Sequence, residues 1–268
     1  MKKIGFIDYY ISEWHANNYP VWMKEVCEKI GEDFNVAFAW AELDISPVDG
    51  RSTDEWCKEF GAEKCESIAE LCEKSDYVVI LAPSNPEKHI GYVREAFKCG
   101  KPTYVDKTFA PNYAEAVEMF EIGKKYGTPF FSTSALRYAT ELDTVGDPEL
   151  FETWGYGATF NEYSVHQIEM VVKTMKNKCV ATKAETTERG FKFYLEFENG
   201  KKAEINYDPD TPFAISADGS KQAVSSPYFK LLIADILRFF NTKKTSFDTA
   251  QTLEVMRIRE ELLSQITE

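Results

Sequence analysis

Two ionisable side chains stand where acid–base chemistry could be done, Lys107 and His166. Lys107 follows the short run Thr103–Val105, so we expect it at the carboxyl end of a buried strand, where neighbouring groups can ease loss of its proton. His166 lies between Glu162 and Glu169, at i−4 and i+3 of a predicted helix, so both carboxylates can reach its face. A carboxylate there favours the protonated imidazole. The alternatives, a solvated loop lysine and a structural histidine, stay open.

Further polar residues follow the predicted strands on either side of Lys107. Tyr77–Leu81 is an apolar, β-branched run, which favours a strand that is buried on both faces of a parallel sheet. Ligands of such sheets bind beyond the carboxyl ends of the strands. We therefore predict a cofactor site that includes Pro83, Ser84, Asn85 and Asp106.

The loop after the first predicted strand supplies a second set of polar residues. We assign Asp8 and Tyr10 to the cofactor site and His15 and Asn17 to the substrate site, because amides at a helix start can meet an anion or a sugar hydroxyl. Asn17 could instead cap the helix. The loop 8–15 contains no glycine, although a close backbone approach to a pyrophosphate requires one, and its carboxylates would repel phosphate.

Three more residues are candidate ligand contacts. Glu42 follows the second predicted strand, where an acidic residue hydrogen-bonds a ribose 2′-hydroxyl, so it favours NAD over NADP if a dinucleotide binds. Arg137 and Tyr138 follow the last strand of the first half, where they could bind a substrate carboxylate or hydroxyl. A salt bridge between domains would equally explain Arg137.

These residues require a particular set of elements to position them. Five strands alternate with helices in the first half, which predicts an α/β domain with a Rossmann-like, doubly wound parallel sheet over 1–134. The second half contains strands of alternating polarity and a hairpin centred on Asn199-Gly200. It predicts an α+β domain over 135–268, with a small, mostly antiparallel sheet of about four strands, for substrate binding and dimerisation.

The arrangement resembles the glucose-fructose oxidoreductase and inositol 2-dehydrogenase (Gfo/Idh/MocA) superfamily. The resemblance is carried by Pro83-Ser84-Asn85 followed by His89, by Gly100-Lys101-Pro102 with Val105-Asp106-Lys107, and by Glu162 four residues before His166. It implies an NAD- or NADP-dependent dehydrogenase that acts on a sugar, a polyol or a related hydroxy compound. It also implies that Lys107 and His166 handle the hydroxyl proton across a cleft, with Glu162 orienting the imidazole, and that the protein is a homodimer.

The sequence departs from that family at two positions, and these departures leave two alternatives. The glycine fingerprint is absent, and Thr108 rather than proline follows Lys107, so we expect a trans peptide there. The first alternative is a cofactor-free binding or regulatory homologue. The second is a cofactor-independent enzyme that uses the same lysine and histidine for proton transfer.

The composition limits the partners and the compartment. The net charge of −13 argues against nucleic acid and anionic membranes as partners, so we expect a small-molecule substrate. Six cysteines without a C-x-x-C pair predict reduced thiols, a cytoplasmic protein and no metal site. We interpret the N-terminal Lys-Lys-Ile-Gly-Phe-Ile as a strand rather than an export signal because Asp8 interrupts the apolar run.

Overall fold

The computed structural model describes residues 1–267 of the chain. They divide into two compact units. The first unit comprises Met1–Ser132 and Leu232–Thr249, and the second comprises Thr133–Leu231 and the C-terminal residues from Ala250 onward. Within this described part, no helix has the length and the apolar character that a bilayer span requires.

The first unit is a parallel sheet with intervening helices. Its strand order is β3-β2-β1-β4-β5-β6, and every pairing is parallel. In chain order the elements are β1 (Lys2–Asp8), α1 (Trp14–Ile30), β2 (Phe34–Ala41), α2 (Thr53–Phe60), β3 (Glu63–Lys64), α3 (Ile68–Lys74), β4 (Tyr77–Ile80), α4 (Pro86–Ala96), β5 (Thr103–Val105), α5 (Tyr113–Tyr126) and β6 (Phe130–Ser132).

Local sequence signals set the bounds of these helices. Ser52 and Glu55 form a reciprocal capping box at the start of α2. Helices α1, α2 and α5 each end at a left-handed glycine. The central strands are the buried ones: Ile4, Phe6 and Ile7 of β1, Val78–Ile80 of β4 and Tyr104 and Val105 of β5 are each 0% exposed, as expected for a sheet that is covered on both faces.

The second unit pairs one mixed sheet with two helices. Its strand order is β12-β11-β7-β10-β9-β8, and all pairings are antiparallel except that of β7 with β10. Its elements are β7 (Leu150–Gly155), α6 (Phe160–Met175), β8 (Cys179–Thr186), β9 (Phe191–Phe197), β10 (Lys202–Tyr207), β11 (Ala214–Ala217), β12 (Ser220–Ala223) and α8 (Ala250–Leu263). Helix α7 (Tyr228–Thr242) begins in this unit and continues in the first one.

The predicted fold class is confirmed, with two corrections to the strand counts. In the described chain, the first sheet has six strands rather than five, because Glu63–Lys64 forms a two-residue edge strand too short to produce an alternating pattern. The second sheet also has six strands rather than about four, since β11 and β12 are only four residues each and β12 is polar. The roles assigned to 1–134 and 135–268 stay predictions.

Candidate active site

Lys107 lies immediately beyond β5, at the carboxyl edge of the parallel sheet. Its side chain is buried, with 8% of the residue exposed, and its Nζ donates a hydrogen bond of 3.2 Å to the carbonyl oxygen of Pro83, beyond the end of β4. The strand-end turn predicted as part of the site therefore contacts the predicted lysine. The peptide between Lys107 and Thr108 is cis, so the expectation of a trans bond is wrong.

Asp106, the residue before Lys107, accepts two hydrogen bonds at the same edge of the sheet. Its Oδ1 accepts hydrogen bonds from the hydroxyls of Tyr19, at 3.3 Å, and Tyr104, at 3.1 Å, and the residue is 1% exposed. Burial, together with the charge of Asp106, raises the pKa of Tyr19 well above its ordinary value, so this phenol stays protonated and keeps donating. Asp106 thus connects α1 to β5, and a contact with cofactor stays a prediction.

Glu13 occupies the start of α1. Its Oε2 accepts from the backbone N–H of His15 at 2.8 Å, and its Oε1 accepts from the backbone N–H of Ala16. The Nδ1 atom of His15 lies 3.3 Å from Glu13 Oε2 and 3.8 Å from Asp106 Oδ2. Because Glu13 is only 7% exposed, its carboxylate fills the place where the positive end of a helix would meet an external anion.

Asp8 joins the ends of β1 and β4. Its Oδ1 accepts from the backbone N–H of Tyr9 at 2.7 Å and of Ala82 at 3.0 Å, while Oδ2 is buried and has no hydrogen-bond partner among the described residues. Burial, followed by the charge of Glu13, raises the pKa of Asp8 well above its ordinary value. Asp8 therefore faces the interior, where its Oδ1 atom binds backbone N–H groups rather than solvent.

Glu42, the predicted ribose contact, already has two partners. It accepts from Lys88 Nζ at 2.6 Å and from the Tyr92 hydroxyl at 2.8 Å, and Lys88 lies 4.5 Å from the ring centroid of Tyr9. Partial burial disfavours the Glu42 carboxylate, but the two hydrogen bonds outweigh it and lower its pKa. Because Lys88 compensates its charge, Glu42 would repel a 2′-phosphate less than an unpaired carboxylate.

The other predicted residues of the first unit are placed as follows. Asn17 accepts through Oδ1 from Trp56 Nε1 at 2.9 Å and from Arg51 at 2.8 Å, so it connects α1 to α2 rather than capping its own helix. Asn85 precedes α4 and donates to Glu87 at 3.1 Å. Ser84 is exposed and Tyr10 is half-buried. The ligand contacts proposed for these residues stay predictions.

In the second unit, His166 lies on α6 and is half-buried. Its Nδ1 is 2.7 Å from the hydroxyl oxygen of Ser134, a residue that no sequence motif singles out. Glu162 lies one turn earlier, where its backbone N–H donates to the capping hydroxyl of Thr159. The relation of the Glu162 carboxylate to the imidazole stays a prediction.

Arg137 and Glu169 form a buried ion pair in the second unit. The Nε of Arg137 donates to Glu169 Oε1, which also accepts from the Thr133 hydroxyl at 2.7 Å. The two side chains are 6% and 2% exposed. Glu169 was expected to reach His166, and it pairs with Arg137 instead. Tyr138, predicted beside Arg137, is half-buried.

Comparisons with known proteins identify the class to which this geometry corresponds. Residues 43–134 match the family model described as "Oxidoreductase family, NAD-binding Rossmann fold" (GFO_IDH_MocA). This segment begins directly after Glu42. It contains Lys88 and Tyr92, which bind Glu42, together with the Pro83–Asn85 turn and Lys107. No curated protein matches the chain.

Solved structures extend the likeness over both units. UDP-N-acetylglucosamine 3-dehydrogenase GnnA from Acidithiobacillus ferrooxidans superposes with a TM-score of 0.74 at 13% identity, covering 98% of this chain and 97% of its own. Biliverdin reductase from Synechocystis sp. PCC 6803, in complex with biliverdin and NADP+, gives 0.70 at 14%, with 98% of each chain covered. The dehydrogenase MviM from Clostridium difficile gives 0.74 at 13%, with 99% of each covered.

The chain therefore has the fold of NAD(P)-binding oxidoreductases. More particularly, the resemblance to the Gfo/Idh/MocA family that its motifs carry is confirmed, with the family model covering 43–134.

The residues of this chain do not fit a dinucleotide in the pose usual for that fold. That pose places the pyrophosphate against the N-terminus of the first helix. Here the N–H groups of His15 and Ala16 already bind Glu13. A pyrophosphate at this place would have to displace a buried carboxylate and would lie close to Asp8 as well.

Proposed function

We propose that this protein is an oxidoreductase that acts on a sugar, a polyol or a related hydroxy compound. The family match over 43–134 and the shared fold support the reaction class. The observation that carries the proposal is the position of Lys107, buried at the carboxyl edge of the sheet with its Nζ held by the Pro83 carbonyl. Ligands of parallel sheets bind at this edge.

In this proposal Lys107 acts on the reacting oxygen of the substrate. An ammonium group has three N–H donors, and the Pro83 carbonyl uses one of them, which leaves donors for a hydroxyl or carbonyl oxygen. His166 is proposed to take part in the transfer of the hydroxyl proton, with Glu162 orienting the imidazole and with His15, Asn17, Arg137 and Tyr138 as further substrate contacts. NAD or NADP is the redox partner that the similarity favours, and Glu42 favours NAD only weakly because Lys88 compensates its negative charge.

The lysine proposal predicts a specific kinetic defect. Lys107→Gln should lower turnover by about 10²-fold or more, because an amide has no positive charge and cannot exchange a proton with the reacting oxygen, while the binding of cofactor should stay nearly unchanged. Steady-state kinetics and a cofactor titration of the same variant measure both quantities. Lys101→Gln, a change of a half-buried lysine six residues earlier in the chain, is the matched control and should retain turnover. Full turnover in Lys107→Gln would remove this residue from the mechanism.

A second candidate function is a cofactor-free binding protein or proton-transfer enzyme with the same fold. The capping of α1 by Glu13 specifically favours it, since this carboxylate fills the anion site of the helix. Titration of NADH and NADPH, followed by nicotinamide fluorescence, separates the two candidates. Micromolar binding supports the oxidoreductase, and absence of binding at millimolar cofactor supports the second candidate.

We also propose a homodimer, which the resemblance implies. The sheet of the second unit has one face covered by α6 and α8 and another that carries Lys183, Tyr194, Glu204 and Glu152 in register. This second face is the candidate dimer surface. Sedimentation at twice the chain mass of 30.7 kDa would support it, and a monomer at micromolar concentration would contradict it.

A further inference from the structure

Ser134 is buried beside His166 in the second unit. It is 0% exposed, and its hydroxyl oxygen accepts a hydrogen bond of 3.2 Å from the backbone N–H of Leu136, for which it acts as a cap. The same oxygen lies 2.7 Å from Nδ1 of His166. The imidazole is held laterally by Tyr163 and Phe213, whose ring centroids are each 5.8 Å from its own.

These contacts determine where the hydroxyl hydrogen goes. A buried hydroxyl that donates to nothing carries an uncompensated desolvation cost. Within residues 1–267, His166 Nδ1 is the sole acceptor within hydrogen-bond distance of this hydroxyl hydrogen. The alternative, with Nδ1–H donating to Ser134, would give the oxygen two donors and leave its own hydrogen without an acceptor.

We propose that Ser134 is a positioning residue that holds neutral His166 as the Nε2–H tautomer. With Nδ1 accepting from Ser134, the ring hydrogen of a neutral imidazole must be on Nε2. The Nε2 atom is then a hydrogen-bond donor and not a proton acceptor.

The consequence for catalysis rests on the proposed function. His166 would donate a hydrogen bond from Nε2 to the carbonyl or hydroxyl oxygen of the substrate, as a neutral electrophile does. His166 would then position that oxygen without taking up its proton.

The tautomer can be measured directly in the whole protein. The chain has three histidines, so 15N-histidine labelling gives three imidazole patterns, and the loss of one pattern in His166→Gln identifies that of His166. Two-bond 1H–15N correlation spectra, recorded at a pH where His166 is neutral, distinguish a protonated from an unprotonated ring nitrogen. We expect Nε2 protonated and Nδ1 unprotonated in the wild type, and loss of this single-tautomer pattern in Ser134→Ala.

The control is Ser75→Ala, which removes another buried serine hydroxyl, in the first unit, and should leave the His166 pattern unchanged. A wild type with Nδ1–H, or a Ser134→Ala variant with an unaltered tautomer, would overturn the proposal. If Ser134→Ala does not fold, the wild-type spectrum alone decides. Because this readout needs no turnover, failure of the oxidoreductase proposal would leave it intact and would be recognised separately by the cofactor titration.

Discussion

At the scale of single residues, the charged side chains of the candidate site already have hydrogen-bond partners within the protein. Lys107 binds a carbonyl, Glu42 binds a lysine, and Glu13 binds the backbone of its own helix. A carboxylate that satisfies a helix N-terminus is stabilising in itself. It also makes the same place unfavourable for a phosphate.

Neutralising that carboxylate should change the affinity for dinucleotides. In Glu13→Gln the amide oxygen can still accept from the helix, but the negative charge is lost, so NADH should bind about tenfold more tightly, or its binding should become measurable. Isothermal titration with NADH and with ADP measures the change. Glu28→Gln, an exposed change on the same helix, should have no effect. Equal affinities in all three proteins would show that Glu13 does not oppose the pyrophosphate.

At the scale of elements, Gly5 shows that the glycine of β1 serves packing. A Cβ atom built there would lie 2.4 Å from both Leu71 Cδ2 and Ser75 Oγ, so β1 and α3 pack too closely for a side chain. The packing of β1 against α3 therefore accounts for Gly5, and no contact with a nucleotide is needed to explain it. The glycines that such a fold uses to approach a phosphate would have to lie in the loop 8–15, and this loop contains no glycine.

The packing explanation predicts opposite effects at two glycines. Gly5→Ala should lower the free energy of unfolding by about 1–3 kcal/mol, because the added methyl group overpacks a closed interface. Gly91→Ala is the matched control on α4: its Cβ would meet nothing within 4 Å, so it should raise the free energy of unfolding by about 0.5–1 kcal/mol. Urea denaturation of both variants measures this. A neutral Gly5→Ala would show that α3 can move away from β1.

At the scale of the whole molecule, the 44 acidic residues behind the net charge of −13 include carboxylates in surface ion pairs and a small group that is buried. The surface pairs, such as Lys74 with Glu63 and Glu70, are solvated and contribute little individually. Asp8, Glu13 and Asp106 differ because they are buried. The pKa of Asp8 is raised in the folded state, so its protonation contributes to the stability of the protein.

The shift of the Asp8 pKa determines how the free energy of unfolding changes with pH. Burial and Glu13 raise its folded pKa above the ordinary value of 3.8, so the folded state holds the proton more tightly than the unfolded state. The stability that this proton contributes is complete below pH 3.8 and is lost as the pH rises through the folded pKa. Asp8→Asn keeps an acceptor for Tyr9 and Ala82 without the charge, and should therefore gain stability relative to wild type as the pH rises over that window.

Urea denaturation at a series of pH values from acid to neutral tests the Asp8 prediction. The exposed carboxylate of Asp76 provides the control, and Asp76→Asn should not show the same increase with pH. A difference between Asp8→Asn and wild type that is constant with pH would mean that Asp8 has the same proton affinity in both states.

The sequence by itself determined the fold class, the two-part organisation of the secondary structure and the position of Lys107. Apolar runs, helix caps and the Asn199-Gly200 hairpin are local signals, and they specify elements because each acts within a few residues. The hairpin is found as predicted, with β9 and β10 antiparallel and Gly200 at φ +82°. The strand-end position of Lys107 follows from the same local reasoning.

Only the tertiary structure decided which partner each charged group has. Glu42 meets Lys88 across 46 residues, Asp8 meets Ala82 across 74, and Ser134 meets His166 across 32. A hydrogen bond extends about 3 Å, so its partner depends on which strand ends and helices converge, and residue type alone does not reveal this. The chemistry of the site rests on those partners: a buried carboxylate that caps a helix and a hydroxyl that selects a tautomer are properties of the folded chain.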